Sequence, residues 1–177
     1  MAPSLADDRR ANGRTPVGRH RPAADQACRY RLPTLFGLTR GEEGAGGRIA
    51  DICHRRSLAL AIAADVDLAR TLGADLVHNP SGPTIDLPFS RSVHSVEEAE
   101  DAKADGATLV FVSPVYPTRS HPGGKALHRP QALRIAKAAG VPAIALGGMD
   151  ELKSARLERE GFYGWAGIDA WLGGRDA

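Results

Sequence analysis

Between Thr118 and His121 the chain runs Thr-Arg-Ser-His, two hydroxyls and two nitrogen bases in four consecutive residues. An apolar stretch, Leu109-Val-Phe-Val112, feeds this segment, and Pro114, Pro117 and Pro122 stiffen it. O–H and N–H donors held on a proline-restricted loop suit an anion, because less backbone entropy is lost when such a loop closes on a ligand. The plainer reading of the same residues is a solvated loop after a strand. Other polar residues also follow apolar runs: His78, His94, the glycine pair Gly147-Gly148, and Asp169. Glycines there let backbone N–H groups approach a phosphate, and they also permit positive φ in a tight turn. A strand-end histidine can shuttle protons near neutral pH or sit satisfied within the structure.

The elements that would position these groups alternate. Short apolar runs predict strands at Pro33–Leu38, Leu58–Ala63, Asp75–His78, Ser90–His94, Leu109–Ser113, Ala143–Gly147 and Gly164–Asp169. Helices with readable ends lie between them. Asp65 caps one that stops at Gly73, and Ser95 with Glu98 forms a capping box for a second over Ser95–Ala104. Pro130 and Gly140 bound a third over 130–139, and Asp150 opens a fourth ending near Gly161. Strand–helix alternation requires parallel strands covered by helices, as an open doubly wound sheet or a (β/α)₈ barrel, and both put ligands at the strands' C-terminal ends. Seven strands are predicted where a barrel needs eight. The segment Thr39–Arg48 is too short for a further helix and strand, so one βα unit is expected to be missing near the N-terminus.

The 177 residues suffice for one domain with a substantial core. Residues 1–31 carry seven Arg against three Asp and little apolar periodicity, which predicts a disordered basic segment preceding a barrel domain over 32–177. The remaining chain, sixteen basic against eighteen acidic residues, nets about −2. No run approaches membrane-spanning length, and the basic segment lacks a signal-like apolar centre, so neither a membrane nor nucleic acid is the expected partner. Cys28 and Cys53 form neither a disulfide framework nor a metal motif, which points to a reducing cytoplasm.

The stretch Gly106–Gly123, "GATLVFVSPVYPTRSHPG", followed by "VPAIALGGMD", resembles the thiamine phosphate synthase / TenI family. Its barrels carry G-P-V-F-P-T-x-[ST]-K on the sixth strand and I-G-G-[IM] on the seventh. "LARTLGADLVH" is similar to the fourth-strand entry and "SRSVHSVEEAEDA" to the fifth, so the likeness is collinear from Leu58 to Trp171. It implies a (β/α)₈ TIM-barrel fold and a thiamine-phosphate diphosphorylase. That enzyme couples a pyrimidine diphosphate to a thiazole phosphate and expels pyrophosphate with Mg²⁺ on the leaving group. Carried over by position, Thr118, Ser120 and Ser92 match pyrophosphate-binding residues, with Arg119 and His121 beside them. Gly147 and Gly148 match the thiazole phosphate loop.

Departures accompany the match. The family's third strand ends I-N-D-x-V, where this chain has Ile62-Ala63-Ala64-Asp65-Val66. Asp65 could serve a metal from one position along, or act simply as a helix N-cap. The H-L-G-Q-E-D of the fourth strand becomes His78-Asn79-Pro80-Ser81-Gly82-Pro83, with no carboxylate before Asp86, which leaves Mg²⁺ weakly supported. Asp169 falls where the family presents a phosphate-binding serine. At about 4 Å from a phosphate it would repel each charge by about 1 kcal/mol even in water. His121 replaces a lysine, and the strand-two Q-x-R-x-K is not found. TenI-like thiazole tautomerases offer an alternative through "RSVHS" and "GGM", with His94 and His78 as proton shuttles, although Pro114 stands where that branch has its histidine. A catalytically degenerate ligand-binding barrel is the other alternative, and unpaired strand edges would leave room for a homo-oligomer.

Overall fold

The computed structural model describes residues 34–35, 43–81, 86–118 and 123–167. Twelve elements follow one another along them, strand and helix alternating except where β4 follows β3: β1 (Thr34–Leu35), α1 (Glu43–Arg55), β2 (Ala61–Ala63), α2 (Val66–Leu72), β3 (Leu76–His78), β4 (Phe89–Val93), α3 (Val96–Ala104), β5 (Leu109–Val112), α4 (His128–Ala139), β6 (Ala143–Leu146), α5 (Glu151–Arg159) and β7 (Gly164–Ala166). All seven strands pair in parallel in strict sequence order, β1 through β7. A doubly wound sheet reverses its order at a switch point. Here the winding never reverses, so the strands progress in one direction as they do around a barrel.

Register divides the sheet into two faces. Ile62, Val77, Val93, Val110, Val112, Ala143 and Ala145 share the face covered by helices. There Ala99, Ala102, Ala132, Ile135, Ala139 and Leu157 close one apolar cluster, and Ala50, Cys53 and Ala69 close another. Small helix residues let the helix backbones lie close to the valine-rich strands. The opposite face carries Ala63, His78, Ser90, Ser92, Phe111, Ile144 and Leu146. His78 and Ser90 are buried there, and the aliphatic residues of β6 are half-buried.

Seven strands stand at the seven predicted places: β4 has the predicted length shifted one residue earlier, β2, β3, β5 and β6 are shorter by one to three residues, and the predicted ends of β1 and β7 lie outside the described residues. The helix starts are as expected in three cases. Asp65 accepts from Leu68 N at 2.9 Å, Ser95 from Glu98 N at 3.1 Å, and Asp150 from Lys153 N at 2.9 Å. The Ser95–Glu98 box closes one residue early, because Glu98 Oε2 accepts from the backbone N–H of His94 at 2.7 Å. Helix α4 starts at His128, so Pro130 is its third residue. The sequence reading assigned no helix to 43–55, where α1 lies. Gly44, Gly46 and Gly47 depress its helix propensity by about 1 kcal/mol each. Burial of Ala50 and Cys53 against Leu60, Ile62 and Val77 offsets that cost. Among the described residues no helix is long and apolar enough to cross a membrane.

Candidate functional site

The C-terminal ends of β3 to β6 carry the polar groups, and two assemblies hold them. In the first, the loop leaving β5 is docked on the turn leaving β6. Val115 N donates to Leu146 O at 2.8 Å and Tyr116 N to Gly147 O at 3.1 Å. Gly147 and Gly148 have φ of +90° and +60°. A Cβ on Gly147 would lie 2.7 Å from Cα and Cβ of Pro114, and one on Gly148 only 2.3 Å from Pro117 O. Both glycines are therefore demanded by positive φ and by the approach of the neighbouring loop. Thr118 ends this docked segment and is half-buried. Arg119, Ser120 and His121 lie outside the described residues, as does Asp169.

A cation that the sequence reading missed stands at the same turn. Lys153 Nζ, in the first turn of α5, donates to Gly148 O at 2.7 Å and pairs with Asp150 at 2.7 Å. It lies 5.2 Å from the Tyr116 ring centroid, which ties β6's exit to β5's. Nothing in local sequence signals it, because lysine in the first turn opposes the helix dipole.

The second assembly joins β3 and β4. His78 Nδ1 is 2.9 Å from Ser90 Oγ, and Nε2 is 3.1 Å from Ser92 Oγ. The Asn79 side chain bridges Ser92 N (2.8 Å from Oδ1), Ser92 Oγ and His78 Nε2 (each 3.2 Å from Nδ2). The imidazole meets Phe111 edge-on, centroids 5.1 Å apart. Burial, and secondarily the Arg91 guanidinium, push the His78 pKa below the ordinary histidine value. His94 differs. It is exposed, and its Nδ1–H donates to Ser113 O at 2.7 Å, so Nε2 is left as the acceptor at the mouth.

The carboxylates near these strand ends are already engaged. Asp65 caps α2, and Asp86 pairs with Arg70 at 2.5 Å, which holds its carboxyl below the usual carboxylate range. Ala63 and Ala64 offer no side-chain donor, and among the described residues no group of three or more His, Cys, Asp or Glu could hold a metal ion. These donors do not fit a protein-held Mg²⁺.

The family model described as thiamine monophosphate synthase matches residues 85–171, a span containing β4, the Thr118 loop and the Gly147-Gly148 turn. A thiamine-phosphate synthase of Roseiflexus castenholzii is 35% identical over 145 residues, covering 80% of this chain and 61% of that protein. Over these residues the chain is similar to the thiamine monophosphate synthase family. The bifunctional ThiM/ThiE thiamine biosynthesis protein of Symbiobacterium thermophilum is 30% identical over 145 residues, 75% of this chain and 30% of that one. Thiamine phosphate pyrophosphorylase of Pyrococcus furiosus superposes with a TM-score of 0.69 at 21% identity, covering 82% of this chain and 75% of that one, and so shares the fold. The chain spans about three fifths of the length of several curated single-function relatives. Within the family match fall Ser92, His94, Thr118 and both glycines, while Asp65, His78 and Asn79 precede it.

Proposed function

We propose that this chain is a thiamine phosphate synthase-type transferase, coupling hydroxymethylpyrimidine diphosphate to thiazole phosphate with loss of pyrophosphate. What supports the reading is the docking of the Pro114–Pro117 loop on the Gly147-Gly148 turn, since these two segments resemble the family's phosphate elements. In this reading the seven strands are the greater part of a (β/α)₈ barrel.

Bond cleavage at the pyrimidine methylene leaves charge on the departing pyrophosphate, so the protein's task is to hold anions that are gaining charge. Thr118 and Ser120 donate hydroxyl hydrogens, and Arg119 and the fraction of His121 that is protonated add positive charge. The Gly147-Gly148 turn takes the thiazole phosphate, with Lys153 at its edge. Mg²⁺ would neutralise diphosphate charge, but the described donors do not fit it. Asp169 opposes a phosphate at this turn unless its carboxylate faces away, and Asp169→Ser is expected to tighten thiazole phosphate binding about tenfold.

Incubating the protein with both phosphorylated substrates and Mg²⁺ and following thiamine phosphate by chromatography tests the reading. Product is expected, reduced on the order of 10²-fold by Thr118→Ala/Ser120→Ala. Absence of product from a folded protein that binds both substrates rejects it. One observation favours a second reading, a TenI-like thiazole tautomerase: the fixed tautomer of His94 leaves Nε2 free to accept a proton at the mouth. Isomerisation of a thiazole carboxylate phosphate, lost in His94→Gln, would distinguish it.

A further inference from the structure

Three consecutive carbonyls of the turn leaving β6 are each held by a donor. Leu146 O accepts from Val115 N at 2.8 Å, Gly147 O from Tyr116 N at 3.1 Å, and Gly148 O from Lys153 Nζ at 2.7 Å. In a trans peptide the N–H points opposite the carbonyl of the same unit. The Gly148 N–H therefore faces away from the Tyr116 backbone, and the Met149 N–H away from the Lys153 ammonium. Among the described residues neither N–H has an acceptor. Two successive N–H groups left open beside a strand end are what an anion binds. The first two of the three donors are backbone groups of the docked loop, whereas the third is a single side chain. Without it nothing fixes the Gly148–Met149 peptide, because glycine at φ +60° resists rotation of that unit less than any other residue.

Lys153 is itself engaged on three sides. Of its three hydrogens one goes to Gly148 O and one to the Asp150 carboxylate, each at 2.7 Å, and the ammonium lies 5.2 Å from the Tyr116 ring centroid. Its charge is balanced by Asp150, whose carboxyl it holds below the usual carboxylate range. Asp150 in turn caps α5 through Lys153 N at 2.9 Å, so the turn, the helix cap and the β5 loop meet at one side chain. An ammonium spent in this way serves the turn rather than a ligand. We propose that Lys153 is a positioning residue: it locks the Gly148–Met149 peptide with its N–H turned to the anion, and acts through that peptide rather than by its charge. This rests on the reading that the turn takes a phosphate, and adds to it the group that keeps the turn in its binding form.

Titrating inorganic phosphate into the full chain, followed by NMR at the Gly148 and Met149 amides, tests it. The wild type should show saturable shifts there, and Lys153→Met should weaken the affinity about tenfold, roughly the worth of one hydrogen bond. The decisive variant is Lys153→Met/Asp150→Asn, which has the net charge of the wild type and keeps the α5 cap, since asparagine caps about as well as aspartate. Positioning predicts that this double variant stays weak. Recovery of wild-type affinity would make Lys153 a mere charge balance and overturn the assignment, as would unchanged affinity in Lys153→Met. Should Lys153→Met fail to fold, Tyr116→Leu removes the ring that braces the ammonium and leaves every charge in place. Affinity should then fall about threefold, and an unchanged value overturns the assignment too. Wild-type amides that do not respond to phosphate remove the turn from the site, and the role of Lys153 with it. The synthase reading fails separately, if folded protein that binds both substrates forms no thiamine phosphate.

Discussion

Gly148→Ala should destabilise the protein through two separable costs. The residue has φ of +60°, where an L side chain loses about 1–2 kcal/mol against the usual helical region. The added Cβ would also stand 2.3 Å from Pro117 O and 2.9 Å from Tyr116 Cβ. Reaching ordinary contact requires the Pro114–Pro117 loop to retreat by about an ångström, and overpacking of this kind costs about 1–3 kcal/mol. The sum is roughly 2–5 kcal/mol, a large part of a typical domain stability of about 5–15 kcal/mol. Gly73→Ala supplies the control. Its φ is +61°, but its Cβ would meet only the His54 ring at 3.6 Å, so it carries the backbone cost alone. Urea unfolding should show both midpoints lowered at constant slope, with Gly148→Ala lower by a further 1–3 kcal/mol or so. Equal losses in the two variants would refute the packing of one loop on the other, and with it the joint mouth.

Further outcomes follow from the same contacts. Asp65→Ala should cost about 1 kcal/mol through loss of the α2 N-cap, while Asp65→Asn retains the cap within a few tenths; loss of Mg²⁺ affinity in the Asn variant would instead make Asp65 a ligand. Gly47→Ala should stabilise the protein by about 0.5–1 kcal/mol, since its Cβ meets nothing within 4 Å and α1 gains propensity; thermal unfolding reads this directly, and a lowered midpoint contradicts it. His78 is held below its ordinary pKa, first by burial and then by Arg91, so the unfolded chain takes up the proton first. Stability should be level above the ordinary value of about 6.5 and fall as pH drops below it toward the folded pKa. His78→Gln should flatten that decline, and an unchanged acid slope in the variant would assign it elsewhere.

The strands were legible because each is a short apolar run closed by a cap, glycine or proline, and cap chemistry located the starts of α2, α3 and α5. Helix α1 was hidden by three glycines near its start, since its support comes from burial against β2 and β3 rather than from propensity. Positive φ at Gly147 and Gly148 could be read from the pair, but the reason for it includes Pro114 and Pro117, about thirty residues away in sequence. Ser92 shows the same limit. Its position suggested a phosphate hydroxyl, whereas the orientation of its proton depends on His78 and Asn79 from the preceding strand. Lys153 was invisible for the converse reason: only the folded turn places Gly148 O and Tyr116 around it.

The central claim is the proposal that the loop from Thr118 onward holds the departing pyrophosphate. Calorimetric titration of inorganic pyrophosphate into the wild type and Thr118→Ala/Ser120→Ala tests it most directly. Saturable binding by the wild type, weakened about tenfold or more in the double variant, is the predicted result. Superimposable titrations from two folded proteins would contradict it and remove this loop from the site.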